Sequence, residues 1–98
     1  MKYLTYLMIS GFIYASSARI MTYNILNYQD DNEREEHYIE IVSSIDPNLI
    51  VVQELIGSNG YENFKTDVLD IIDPNLWSSA LFTSQSAQQD IALYYHHD

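Results

Sequence analysis

Two residues in this chain have types and settings that could do chemistry together. Asn24 interrupts the apolar stretch RIMTYNILNY (residues 19–28), and Glu54 directly follows the run LIVVQ (residues 49–53). Asn is depleted in strands because its amide competes with the backbone ladder, so an Asn inside a strand-like segment needs a reason to be there. Glu54 stands where a second strand should run out. A carboxylate beside an amide is an all-oxygen donor set, which suits Mg²⁺ because that ion takes one or two carboxylates from a protein and keeps several waters. A lone Glu at a strand end is ordinarily just solvated, so the pair means something only if the elements bring it together.

Those elements can be traced from hydrophobic spacing. Residues 32–45 open with Asn32-x-x-Glu35, a capping-box arrangement, and carry Glu33, Glu35 and Glu36 in the first turn, where the helix dipole favours negative charge. Tyr38, Ile41, Val42 and Ile45 then fall on one helical face, and Pro47 moves Asp46 out of the α region and ends the helix. Leu49 to Val52 is an unbroken apolar run, as expected of a strand covered on both faces. A turn at Gly57 to Gly60 leads to a second helix with Phe64, Val68, Leu69 and Ile72 as its stripe and Pro74 beyond its end. Trp77 to Thr83 and Asp90 to His97 read as two more strands, joined by the polar linker SQSAQQ. The fold class is therefore α/β in β-α-β-α-β-β order. Strands that alternate with helices pair in parallel, and sites in such sheets gather at the strands' carboxyl ends. If the first two strands are neighbours, Asn24 and Glu54 share one rim.

The remaining candidates have simpler explanations. His96 and His97 are adjacent on a strand and face opposite sides, so at most one could join a given site, and a solvated strand end accounts for both. The acidic stretch QDDNEREE (residues 29–36) lacks the glycine and spacing of a calcium loop and reads as a helix start. Gln53 could assist the metal or simply support the rim. Tyr94 and Tyr95 alternate in facing; core packing is the expectation for both, as for Trp77. His37 has no evident partner, and Asp30 and Asp90 match no motif.

Composition sets outer bounds. The 98 residues carry 4 Lys+Arg against 14 Asp+Glu, a net charge of −10, which opposes unaided binding to phosphate backbones or anionic membranes. A nucleic-acid role would need a cation as intermediary. With no cysteine, neither disulfides nor thiolate metal sites are possible. Residues 1–18 have the layout of a secretory signal peptide: Lys2, an apolar middle from Tyr3 to Tyr14, and the small exit Ser16-Ser17-Ala18. The apolar run falls short of the roughly 20 residues of a spanning helix, so no stable membrane anchor is expected. Cleavage would leave residues 19–98, secreted or periplasmic, with three basic residues against fourteen acidic and a net charge of −11.

The wording of three segments, TYNILNY, DPNLIVVQEL and DIALYYHHD, resembles in order and spacing the start of the endonuclease/exonuclease/phosphatase superfamily, the deoxyribonuclease I-like enzymes. The resemblance spans Arg19 to Asp98. It implies the first part of a four-layer α/β/β/α sandwich, with Asn24 as a catalytic-site residue that organises metal and phosphate and Glu54 as the ligand of Mg²⁺ or Mn²⁺. It further implies a divalent-metal-dependent phosphodiesterase, foremost an endonuclease acting on nucleic acid; relatives acting on lipid, sugar or inositol phosphates are the alternative, and so is a non-catalytic remnant or interaction module of the same fold. The family completes its site with a later Asp-x-Asn pair and a C-terminal Asp-His, neither of which follows Asp98 in the sequence, so the expectation is an incomplete N-terminal portion, inactive alone, with a sheet face lacking its partner and prone to self-association.

Overall fold

The computed structural model describes residues 17–30, 32–83 and 89–97; the leader expected over residues 1–18 lies almost wholly outside them. The chain is α/β, with strand β1 (Ile20–Tyr28), helix α1 (Asn32–Ile45), strand β2 (Leu49–Ile56), helix α2 (Gly57–Phe64), a π-helical turn (Lys65–Leu69), the short helix α3 (Asp70–Ile72), and strands β3 (Trp77–Ser79) and β4 (Gln89–His96). The four strands form one mixed sheet in the order β1-β2-β4-β3. β1 and β2 are parallel neighbours, whereas β4 runs antiparallel to both β2 and β3. Among the described residues no helix is long and apolar enough to cross a membrane.

The helices cover one face of this sheet, and the core lies between them. Alternation sends Met21, Ile25, Ile50, Val52, Ala92 and Tyr94 inward to meet Tyr38 and Val42 of α1 and Phe64, Val68 and Leu69 of the second helical segment. Aromatic rings join the layers edge to face, with centroids 5.4 Å apart for Tyr28 and Tyr38 and 5.5 Å apart for Phe64 and Tyr94. The Tyr94 phenol donates to the Tyr61 carbonyl at 2.6 Å, and burial pushes its pKa well above the ordinary tyrosine value.

Several expectations are corrected here. Among the described residues the strand Leu49–Val52 is covered on one face only: Ile50 and Val52 are buried, while Leu49 and Val51 are half-exposed. An apolar run thus reports composition, and the layer count decides burial. On α1 the inward stripe is Glu35, Tyr38 and Val42, with Ile39 packed beside it, and this line leaves Ile41 and Ile45 exposed. Tyr95 is also exposed, pointing away from the helices opposite Tyr94. Gly57 to Gly60 forms the first turn of α2 instead of a separate loop. Gly57 at φ +65 makes the abrupt change from strand to helix, and Gly60 lets that helix lie against β1: a Cβ there would sit 2.5 Å from the Tyr28 carbonyl oxygen. β3 ends at Ser79, short of Thr83.

Candidate functional site

Asn24 and Glu54 meet at a corner of the sheet created by surplus residues. Across the three long strands, Asn24, Gln53 and Ile91 form one row and Tyr28, Leu55 and Asp90 the next inward-facing one. Between these rows β1 takes four residue steps (24 to 28), β2 two (53 to 55) and β4 one (91 to 90). The extra chain is absorbed by left-handed backbone at Leu26 (φ 56), Asn27 (φ 60) and Glu54 (φ 63). Bulged strands bend and re-aim side chains, and they recur beside active sites. Without its bulge, β2 would carry no residue at the position of Glu54.

The Asn24 amide uses both its ends at this corner. Its Nδ2 donates a short hydrogen bond to Glu54 Oε2, and its Oδ1 accepts from the backbone N–H of Leu26 at 2.9 Å, an Asx-type bond that fixes the bulge of β1. Here is the reason for an Asn in a strand: one side chain closes the local turn and orients the carboxylate of the neighbouring strand. The strained backbone is held from the helical side by Arg34, whose Nη1 donates to the carbonyls of Leu26 at 2.6 Å and Ile25 at 3.1 Å. Gln89 Nε2 reaches across to Asn27 Oδ1 at 2.6 Å and ties the start of β4 to the same bulge.

These residues line a cleft of about 290 Å³ formed by Asn24, Gln53, Glu54, Gln89, Asp90 and Ile91. Its polar walls offer two carboxylates and three amides, and no lysine or arginine is among them. Asp90 is only 4% exposed, and its Oδ2 accepts from the Gly57 N–H at 3.3 Å, so it caps α2 while adding negative charge to the cleft. Sequence pattern could not assign Asp90, because its place depends on β4 entering the sheet antiparallel and starting at the rim where β1 and β2 end. An acidic residue at the first position of a strand was the available signal. Gln53 stands on the exposed face beside Asn24, its register partner.

The other candidates lie elsewhere. His96 Nε2 is 3.3 Å from Asp73 Oδ2, and His97 Nε2 bonds Ser78 Oγ, both at the end of β4 remote from the cleft. Asp30, Glu35 and Asp67 cluster with carboxylate oxygens within 4.8 Å of one another, where the start of α1 meets the π-helical turn. Within that cluster the buried Glu35 accepts the Tyr28 phenol at 2.5 Å; burial, that bond and the nearby negative charge push the phenol pKa well above the ordinary tyrosine value. His37 is exposed. Comparison of the chain with protein-family profiles, with curated proteins and with solved structures returned no match.

Proposed function

We propose that the corner formed by Asn24 and Glu54 binds a divalent cation, Mg²⁺ or Mn²⁺, and that it is the metal-binding part of a phosphodiester hydrolase site, foremost one for nucleic acid. The observation that carries this reading is the amide–carboxylate bond between Asn24 and Glu54 across two bulged strands, which fixes a half-buried carboxylate at the mouth of a cleft. The donor set fits the ion: all oxygen, one carboxylate with Oε1 clear of the Asn24 bond, and a second negative charge from Asp90 close by. A bound divalent ion supplies charge stabilisation to a phosphoryl oxygen and to the departing oxyanion. Glu54 would hold that ion, Asn24 would keep the Glu54 carboxylate aimed at it, and the amides of Gln53 and Gln89 would offer donors to a phosphate. The ion also reconciles a substrate phosphate with a chain of net charge −10.

A second reading, metal or phosphate binding without turnover, draws on the cleft itself: none of the six residues lining it is a histidine, and of its two carboxylates Glu54 is engaged with Asn24 and the ion while Asp90 is buried against the Gly57 N–H. Both readings include export, which rests on residues 1–18 and is checked by the N-terminal mass of protein made in its native host. Calorimetric titration with MgCl₂ and MnCl₂ tests the binding claim: Glu54→Gln should weaken the metal at least tenfold while leaving the circular dichroism unchanged. Equal affinity in the two proteins would refute the assignment of Glu54. Metal-dependent nicking of plasmid DNA by the purified chain, lost in Glu54→Gln, would decide for turnover over binding alone.

A further inference from the structure

The stretch GSNG (residues 57–60) is absorbed into α2, and it carries a covalent chemistry of its own. Of the asparagines in this chain only Asn59 precedes a glycine; all the others precede large side chains. A backbone nitrogen can attack the side-chain amide of the residue before it, and glycine, having no Cβ, hinders that attack least. Asn59 is exposed, so water and hydroxide reach its amide. The folded backbone nevertheless withholds the nucleophile. Ile56 is the N-cap of α2, so the Gly60 N–H donates to the Ile56 carbonyl as the first rung of the helix. Ring closure needs that proton removed and the Asn59 Cα–C bond turned well away from the helical ψ of about −42°. The turn is also fastened to the sheet. The Gly57 N–H donates to Asp90 at 3.3 Å, the Tyr94 phenol to the Tyr61 carbonyl at 2.6 Å, and Asn63 Nδ2 to the Gln29 carbonyl at 2.9 Å. Gly60 itself lies so close to β1 that a Cβ would sit 2.5 Å from the Tyr28 carbonyl oxygen. Rotation at Asn59 has to displace these contacts.

We infer that Asn59 is a modification site gated by the fold: inert while α2 is seated on the sheet, and converted to aspartate or isoaspartate when the helix opens. In the open chain the Gly60 nitrogen, its proton taken by hydroxide, bonds to Asn59 Cγ; the Cγ–Nδ2 bond breaks, and the nitrogen departs as ammonia with a proton from water. Water then opens the resulting succinimide ring. Attack at Cγ leaves an ordinary aspartate at this position, whereas attack at the Asn59 backbone carbonyl carbon leaves isoaspartate, whose main chain runs through Cβ and Cγ and is one carbon longer. The two products fare differently. Aspartate adds a negative charge in the first turn of α2, where the helix dipole favours one. Isoaspartate puts its extra carbon directly before Gly60, at the close approach of α2 to β1, and turns the carbonyl that accepts the Asn63 N–H into a free carboxylate. A chain so modified cannot reseat α2 against the Tyr28 carbonyl, and the bond from the Gly57 N–H to Asp90 at the cleft is lost with it. One hydrolytic step thus makes a local opening permanent. The inference stands apart from the metal reading, since it uses only backbone geometry and water.

The test incubates the full chain in mildly alkaline buffer with and without urea, and peptide mapping by mass spectrometry follows the amide-to-acid conversion at each asparagine. In urea Asn59 should react at least tenfold faster than any other asparagine, and at least tenfold faster than Asn59 of the folded chain. After removal of urea, the isoaspartate-bearing fraction, isolated by ion exchange, should show reduced circular dichroism and a lowered unfolding midpoint. Asn59→Asp, which adds the same charge without lengthening the backbone, should fold with the wild-type midpoint. Equal rates in buffer and urea, an Asn59 no faster in urea than the other asparagines, an isoaspartate-bearing chain with the wild-type midpoint, or an Asn59→Asp variant as damaged as that chain would each overturn the inference.

Discussion

Asn24→Asp isolates the chemistry of the corner from its architecture. The substitution keeps the oxygen that accepts from the Leu26 N–H and replaces the donor facing Glu54 with a second carboxylate oxygen. Two ionised carboxylates about 3 Å apart repel by roughly 1.4 kcal/mol in water and roughly 5.5 kcal/mol at an effective dielectric of 20. Asn24 is exposed and Glu54 half-buried, so the cost should lie toward the lower figure, about 1.5 to 3 kcal/mol, with about 1 kcal/mol more for the lost amide bond. A loss of about 2 to 4 kcal/mol is a large part of the ~5 to 15 kcal/mol that holds a typical domain folded. A divalent cation reverses the sign of the interaction, since the added carboxylate becomes a ligand. Urea unfolding followed by circular dichroism, in chelator and in millimolar MgCl₂, reads both effects. The variant should be much less stable than the wild type in chelator and should gain more than the wild type from magnesium; saturation at a hundred times Kd contributes about 2.7 kcal/mol. Equal unfolding midpoints in chelator would show that Asn24 and Glu54 do not interact as described. An equal magnesium shift in the two proteins would remove the metal from the corner.

Further outcomes follow from the packing. Gly60→Ala sets the helix preference for alanine, about 1 kcal/mol, against a contact of 2.5 Å with the Tyr28 carbonyl, and overpacking of about 1 to 3 kcal/mol should win; an unfolding midpoint at or above wild type would mean that α2 can lift off β1 freely. The raised phenol pKa values of Tyr28 and Tyr94 make stability pH-dependent on the alkaline side. Below the ordinary value of 10.0 both states keep their protons; above it the unfolded chain releases protons that the folded chain retains, so stability should fall as pH rises past that point. Phenolate absorbance should therefore show a delayed, cooperative fraction of the nine tyrosines titrating together with loss of circular dichroism, and a smooth titration of all nine with the fold intact would contradict the burial of Tyr28 and Tyr94. Tyr28→Phe leaves the buried Glu35 without its phenol donor and should cost about 1.5 to 3 kcal/mol in urea unfolding at neutral pH, and an unchanged unfolding midpoint would contradict the Tyr28–Glu35 bond.

What the sequence disclosed and what it hid follow from the range of the interactions involved. The first two strands and the first helix were legible because apolar spacing and caps are local, and Asn24 and Glu54 stood out because each breaks the pattern around it. The bulges were hidden: Leu26, Asn27 and Glu54 take left-handed backbone without a glycine to advertise it, since Arg34 and the Asn24 amide supply the restraint from outside the turn. The position of β4 was hidden as well. Nothing local says that a strand following β3 will pass between it and β2, yet that insertion brings Asp90 and Gln89 to the rim. The exposed Ile41, Ile45 and Tyr95 were misjudged for the complementary reason: their apolarity is visible in the sequence, but whether a further layer covers them is a property of the whole assembly.

Glu54 is the one residue by which β2 exceeds its antiparallel neighbour, and this gives the corner an uneven heredity. Any replacement at that position keeps the surplus residue and its left-handed backbone. Deletion would let Gln53 and Leu55 follow each other with ordinary alternation, outward then inward, as Ile91 and Asp90 do beside them. It would also release a non-glycine residue from a conformation that costs about 1 to 2 kcal/mol. A lineage under selection for the carboxylate must therefore keep the extra codon against a pull toward the shorter, better-folded strand. A lineage released from that selection should lose position 54 by deletion more readily than by drift to another side chain, and the length of this strand would then record whether the corner is still in use.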